Sequence, residues 1–283
     1  MMIPARSLRA ITRRIPLPGQ LWRPVLEKIH PFIHYDEGDQ IIKIANPRRV
    51  FLIRDEQEYI QRNVYFLDYY EIRETNYVKK ILREGDVFVD IGANIGWFTL
   101  LASAGVGASG QVIAFEPSGR IHQHLADNVR LNDCRNVVLE RLAISDTSGS
   151  AILANANPRN DGMGSIVHGG ASGEEVCTQT LDAYFANREA TPIDLVKLDV
   201  EGAEMFALRG MSKLLAARRI KRILFEYHRG QQAAAGEPPR AIFEFLREFG
   251  FEFHALNYFG NTRPLRGYED IVYCNVVAVR PEA

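Results

Sequence analysis

Cysteine is scarce in this chain of 283 residues: Cys134, Cys177 and Cys274 are three in number and far apart. An odd count with no Cys-x-x-Cys spacing indicates neither a disulfide framework nor a zinc site. A reducing compartment is the default, and a cytoplasmic protein is expected. Net charge is nearly absent as well, with 34 basic against 35 acidic residues and a formal balance of -1. No global field therefore draws nucleic acid or an anionic membrane, and without basic-aromatic interleaving nucleic acid is not an expected partner. No run of about 18 apolar residues occurs, so stable membrane insertion is not expected. The basic start, with Arg6, Arg9, Arg13 and Arg14 among Pro4, Pro16 and Pro18, lacks the uninterrupted apolar segment of a leader. Ile15-Pro-Leu-Pro-Gly19 breaks any helix there. A frayed basic arm is the expectation, with surface docking as the other reading. Nothing in the composition fixes an oligomeric state.

What is present is an ordinary soluble composition, 46% hydrophobic and 24% charged, enough for a real core. Two short strands are expected at 41–44 and 50–53, then a helix over 71–83. This first quarter reads as an accessory layer that could cover a ligand crevice. From Val87 the pattern alternates strand and helix. Strands are expected at Val87–Ile91, Gln111–Phe115, 137–142, Leu195–Leu198 and 222–225, with helices over 121–131, 203–217 and 241–249. Such alternation predicts a parallel sheet with helices on both faces. The strands at 251–256 and 271–279 have no helix between them and read as a closing antiparallel pair.

The stretch Val87-Phe-Val-Asp-Ile-Gly-Ala-Asn-Ile-Gly-Trp-Phe-Thr-Leu-Leu101 organises the chain. It reads as a buried strand, a small-residue turn and a helix start, with Asp90 near the strand's carboxyl end, where open α/β sheets bind ligands. The loop differs from the pyrophosphate-binding Gly-x-Gly-x-x-Gly pattern. Its glycines are Gly92 and Gly96, Asn94 holds a turn position, and Asp90 suits a ligand carrying an ammonium group and a sulfonium. Glu116, at the end of the next strand and before Pro117, occupies the position that hydrogen-bonds both ribose hydroxyls of a bound nucleoside. The ribose alone does not separate a nicotinamide cofactor from other nucleosides, and a helix-start charge is the plainer reading of Glu116.

Together, Asp90-Ile-Gly-Ala-Asn-Ile-Gly-Trp-Phe-Thr99, Phe115-Glu-Pro117, Leu142-Ala-Ile-Ser-Asp146 with Gly149, Leu198-Asp-Val-Glu-Gly-Ala-Glu204 and Glu226-Tyr-His228 resemble the FkbM family of class I S-adenosylmethionine-dependent methyltransferases. The resemblance covers about 70–249. The Asp-x-Gly-x-Asn-x-Gly loop is shared with many methyltransferases, whereas the segment from Asp199 to Glu204 is the more specific mark. The resemblance implies a Rossmann-like class I fold: a mostly parallel seven-stranded sheet with an antiparallel closing strand, helices on both faces and an N-terminal accessory layer. It divides the chain into an arm and cap region, 1–69, and a methyltransferase domain, 70–283. It implies S-adenosylmethionine as methyl donor. It also implies a small-molecule or glycan acceptor, since the family's members mostly look like O-methyltransferases of sugars, polyketides and other secondary metabolites.

Carried over to this sequence, the resemblance implies that Asp90, Gly92, Asn94 and Gly96 hold the methionine part of the cofactor, Glu116 the ribose, and that Ala143 lies where adenine meets backbone and small side chains. Ser145 and Asp146 serve equally as turn residues. Methyl transfer to a hydroxyl requires alignment, proton removal and exclusion of water, and Asp199, Glu226 and His228 fall after the fourth and fifth core strands, where those tasks are performed. His228 is the first choice as base, because its ordinary pKa lies nearest neutrality. Asp199 and Glu226 also resemble divalent-metal ligands of catechol-type enzymes. The metal-free reading is preferred, with Glu201 and Glu204 charging the following helix start. Lys197 is expected to pair with Asp199 or Glu226. The polar insertion 155–173 suggests a lid in which Asn160, Ser165 and His168 meet a polyhydroxylated acceptor, helped by a second polar loop at 258–266. Two other functions stay open: a nicotinamide-dependent oxidoreductase, which the Asp90 loop disfavours, and a binding protein that kept the fold without catalysis.

Overall fold

The computed structural model describes residues 2–14, 19–35, 38–44, 49–55, 58–155, 164–167, 172–188, 192–238, 240–268 and 271–281. Of the expected lid residues, Asn160 and His168 lie outside this set, and Ser165 is described only by its backbone.

The first elements are strand β1 (Ile3–Pro4), helices α1 (Ala5–Arg14) and α2 (Gly19–Ile29), and strand β2 (Ile33–His34). The expected frayed arm is helical instead. Leu8 and Thr12, one helical turn apart, are buried, Thr12 Oγ1 donates to the Phe66 carbonyl, and Arg9 pairs with Asp68 at 2.8 Å. Those contacts are long-range, so neither local propensity nor the proline cluster announces them. The hairpin β3 (Gln40–Ile44) and β4 (Arg49–Ile53) follows in antiparallel register, Ile42 opposite Phe51. Helices α3 (Tyr59–Leu67) and α4 (Ile72–Ile81) complete the accessory layer.

The core then runs β5 (Val87–Ile91), α5 (Trp97–Val106), β6 (Gln111–Phe115), α6 (Gly119–Leu131) and β7 (Val137–Glu140). Next come the short β8 (Ala143–Ile144), then β9 (Gly149–Asn155), β10 (Gly164–Val167) and β11 (Glu174–Gln179), and helix α7 (Leu181–Tyr184). Strand β12 (Leu195–Leu198), helices α8 (Glu204–Arg209) and α9 (Ser212–Ala216), strand β13 (Arg222–His228) and helices α10 (Arg229–Ala234) and α11 (Ala241–Glu248) follow. Strands β14 (Glu252–Leu256), β15 (Thr262–Pro264) and β16 (Tyr273–Val279) close the chain.

The main sheet has the order β15-β14-β16-β13-β12-β5-β6-β7. From β13 to β7 it is parallel; β16 runs antiparallel to both β13 and β14. The Rossmann-like α/β expectation therefore holds, with one edge strand more than seven: β15, fully exposed, pairs with β14. Side chains alternate across the sheet as its period of two requires. Phe88, Val112, Leu195 and Leu224 pack with Phe51, Val64 and Leu100 of the accessory layer and α5, while Val89, Ile113, Val196 and Ile223 pack with Met205, Phe225 and Phe243 on the opposite face.

Two expectations change locally. The single helix over 203–217 is two, α8 and α9: the Gly210 carbonyl accepts the Asp182 amide at 2.9 Å, and the Asp182 carboxylate accepts the Lys213 and Leu214 amides at 2.9 Å each, ending one helix and starting the next. The polar insertion does not lie wholly outside regular structure: Gly164–Val167 pairs with β9, which pairs with β11, and β11 with β8, forming a second sheet beside the first.

Candidate cofactor and acceptor site

The site grows from the carboxyl end of β5, every residue of which is buried. Gly92 has φ +82° and a Cβ there would stand 1.9 Å from the Asp199 carbonyl oxygen, so only glycine fits. The turn is pinned by the Gly92 and Ala93 amides, both donating to the Phe115 carbonyl at 3.0 Å. Asn94 takes the left-handed region at φ 50° and its side chain accepts from the Ile95 amide at 2.7 Å. Gly96, φ +92°, caps α5 and leaves room for Leu125, whose Cδ1 would lie 2.6 Å from a Cβ.

Asp90 is buried beneath this turn and does not line either cleft described below. Its Oδ2 accepts from Thr99 Oγ1 at 2.6 Å, and Oδ1 is buried with no hydrogen-bond partner among the described residues. Burial raises its pKa against the opposing effect of Lys197. Glu116, after β6, accepts the Ser118 amide on one oxygen and the Asn94 amide on the other, each at 3.0 Å. Burial pushes its pKa up to about 7 despite those donors. Each oxygen keeps a second lone pair.

Lys197 stands opposite Asp90 in the β12–β5 ladder. Its Nζ donates to Asp199 Oδ2 at 2.7 Å and lies 4.6 Å from the centre of the Phe98 ring, as the sequence led us to expect of one of its two possible partners. Burial alone would lower its pKa; Asp199, Glu71 and Asp90 outweigh that and hold it raised and charged. Glu201, in a left-handed turn at φ 51°, accepts from Gln231 Nε2 at 2.7 Å, and burial with Asp199 and Glu226 nearby pushes it up to about 7. Glu226 near the end of β13 is also raised, by burial and then by Asp199, although the Tyr273 hydroxyl hydrogen-bonds to it.

His228 ends β13. Its Nδ1 accepts the Gln231 amide at 3.2 Å and so caps α10, while its ring meets Tyr273 edge-on at 5.9 Å.

Two clefts meet over the turn. The first, about 560 Å³ including its open mouth, is lined by residues that include Gly92, Asn94, Glu116, Ile121, Ala143 and Leu153. The second, about 520 Å³ on the same measure, is bounded by Tyr70, Glu71, Trp97, Lys197, Glu226 and the turn. Gly92, Asn94, Asp199 and Glu201 belong to both. The fold thus brings together Gly92, Asn94, Glu116, Ala143, Asp199 and Glu226; Gly96 and Asp90 support the turn from behind, and His228 lies outside both linings. Sequence reasoning passed over Tyr70, Glu71 and Tyr273. Glu71 was legible as an acidic residue opening α4, but only the fold carries that helix start to the β5 turn.

Residues 90–253, more than half of the chain, match the family model of the methyltransferase FkbM domain. The chain belongs to the FkbM methyltransferase family. Among curated relatives, this FkbM chain is 29% identical over 171 residues to the hexuronic acid methyltransferase AglP of Haloferax volcanii, covering 58% of this chain and 63% of that one. It is 25% identical over 235 residues to the AMB antimetabolite synthetase AmbE of Pseudomonas aeruginosa, covering 70% of this chain and 11% of the other. The chain thus spans less than two thirds of the length of each. Solved structures similar to it include an rRNA methylase from Streptococcus thermophilus (TM-score 0.43, 14% identity, 74% of this chain and 95% of that one). Another is an S-adenosylmethionine-dependent O-methyltransferase from Thermotoga maritima (TM-score 0.42, 14% identity, 86% and 78%).

The residues present suit the family's cofactor. A glycine turn leaves room for close approach, and a cleft holding Glu116 and Ala143 opens beside it. Among the described residues, no helix is long and apolar enough to cross a membrane.

Proposed function

We propose that this protein is an S-adenosylmethionine-dependent O-methyltransferase acting on a hydroxyl of a sugar, glycan or secondary metabolite. The observation that carries the reading is the junction of the two clefts at Gly92, Asn94 and Asp199, in a chain of the FkbM family. One cleft has the lining for a nucleoside, the other the acids for proton chemistry. A relative whose name specifies hexuronic acid supports the sugar class.

Glu116 and Ala143 would take the nucleoside, and the Gly92–Asn94 turn the methionine portion. When bound, the cofactor supplies an electrophilic methyl group on a sulfonium. Glu226 is assigned as the proton acceptor, because burial and Asp199 raise it from the ordinary 4.5, making it a stronger base than an exposed carboxylate. Asp199, fixed by Lys197, orients the acceptor, and His228 holds the rim by capping α10. The metal-free reading is retained because Asp199 Oδ2, an oxygen that would ligate an ion, is already held by Lys197 Nζ at 2.7 Å. Chelator treatment should therefore leave turnover unchanged.

A labelled-methyl transfer screen over hydroxylated sugars, lipid-linked glycans and macrolide-like alcohols tests the proposal, alongside calorimetry with S-adenosylhomocysteine and NAD. Binding of S-adenosylhomocysteine with transfer to a hydroxyl is expected. Binding of NAD in its place would overturn the reading.

A further inference from the structure

Glu71 precedes the family-matched segment and opens α4 from a left-handed backbone conformation, φ 41°. A non-glycine residue persists there only when its surroundings over-determine it. Its side chain lines the second cleft with Tyr70, Ala93, Lys197 and Glu226. The neighbouring acids each have a donor. Lys197 serves Asp199 at 2.7 Å, Gln231 serves Glu201 at 2.7 Å, Asn275 Nδ2 serves Glu74 at 2.8 Å, and the Tyr273 hydroxyl serves Glu226. Among the described residues the Glu71 carboxylate has none. Burial raises its pKa well above the ordinary carboxylate range, and although Lys197 opposes the rise, Asp199, Glu74 and Glu226 add to it. Among the described residues lining the cleft, Lys197 is the one basic side chain and is already committed to Asp199, so the cleft is short of positive charge.

The cation it lacks should come from the molecule that runs from the nucleoside cleft across the turn, because Gly92 and Asn94 line both clefts. We propose that Glu71 binds the α-ammonium group of the cofactor's methionine portion, so that the accessory layer supplies a cofactor ligand from outside the matched domain. This rests on the methyl-donor reading above. Glu71 then couples the packing of α4 to cofactor occupancy, and a cationic acceptor group is the competing occupant that the test separates.

The protein and its Glu71→Gln variant are titrated calorimetrically with three ligands. These are S-adenosylhomocysteine, its deamino analogue, which keeps the carboxylate, and 5′-methylthioadenosine, which lacks both ammonium and carboxylate. The expected result is at least about tenfold weaker S-adenosylhomocysteine binding by the variant, with the other two ligands unchanged; the wild type should prefer S-adenosylhomocysteine over the deamino analogue by a similar factor. Methylthioadenosine binding reports that the variant's cleft is intact. Unchanged S-adenosylhomocysteine affinity in Glu71→Gln overturns the assignment alone and leaves the acceptor as the partner of Glu71. Equal weakening for all three ligands also overturns it, as a structural role. A wild-type protein that binds none of the three removes the cofactor reading and this assignment with it.

Discussion

At Gly92 a single hydrogen atom decides whether the site exists. The Asp199 carbonyl is backbone, held by its own amide donating to Ile91 at 3.1 Å, so it cannot retreat from the 1.9 Å approach of an added Cβ. Gly96 is different, since the atom it would meet is the flexible end of Leu125. Gly92→Ala is therefore expected to cost about 2–4 kcal/mol of stability and to abolish S-adenosylhomocysteine binding, read by thermal melting and calorimetry. Gly96→Ala should retain measurable binding. The catalytic assignment separates two residues two positions apart in sequence. Glu226→Gln should lower turnover by roughly 10²–10⁴-fold with S-adenosylhomocysteine affinity unchanged. His228→Ala should cost a helix cap of about 1 kcal/mol and reduce turnover much less. If His228→Ala alone removed turnover while leaving the melting temperature in place, histidine would regain the base role.

Among the elements, β4 shows how the accessory layer is attached. One of its edges pairs with β3; the other meets side chains of α6 that imitate a neighbouring strand. Asn128 Oδ1 accepts the Leu52 amide at 2.7 Å and its Nδ2 donates to the Ile95 carbonyl at 2.8 Å. Asn132 accepts the Val50 amide at 2.8 Å and returns a bond to the Val50 carbonyl at 2.7 Å. His124 Nε2 lies 2.7 Å from the Leu52 carbonyl. Asn128 is fully buried, so Asn128→Ala strands a donor and an acceptor and should destabilise the fold by about 2–4 kcal/mol, with faster proteolysis of the accessory layer as a second readout. None of this was legible in sequence, where Asn128 is one polar residue on a helix. By contrast, Val87–Ile91, Gln111–Phe115 and Leu195–Leu198 were readable to the residue, because strands buried on both faces leave short runs that are apolar but for one residue each, here Asp90, Gln111 and Lys197. The Asp90–Gly96 turn was readable because its backbone angles demand its residue types. What escaped the sequence depends on distant partners. The arm became helix through Phe66 and Asp68, helix 203–217 broke where Asp182 meets Gly210 and the start of α9, and β10 formed by pairing with β9.

Across the whole molecule, buried carboxylates give the cofactor-free protein an unusual pH response. Glu116, Glu201 and Glu204 each rise from 4.5 to about 7, burial being the first cause in every case. Between those limits the folded state binds more protons than the unfolded state, so stability falls as pH rises from about 4.5 to about 7 and stays low above it. Asp127 and Glu174 act at the acid end. Burial opposes, but hydrogen bonds, from Arg54 to Asp127 and from the Gly119 amide and Arg141 to Glu174, lower both. Their contribution is present above the ordinary carboxylate range and lost as pH falls below it. Maximum stability is therefore expected near pH 5, with melting temperatures declining toward pH 8. Glu204 isolates the effect because Gln232 is its partner. Gln232 Nε2 donates to Glu204, while Gln232 Oε1 is buried with no donor among the described residues. In Glu204→Gln the new amide oxygen still accepts the Val200 and Gly202 amides that the carboxylate accepts at 3.3 and 3.2 Å. Its NH₂ can serve Gln232 Oε1 once that amide rotates by half a turn. The buried charge is gone, and the Gln232 oxygen gains a donor while its Nε2 gives up the acceptor it had in Glu204. Glu204→Gln should therefore match the wild type near pH 4.5 and exceed it by about 1–3 kcal/mol at pH 8, measured by denaturant unfolding without cofactor. A variant equally or less stable than the wild type at pH 8 would mean that Glu204 is held as a satisfied carboxylate rather than at the cost of burying its charge.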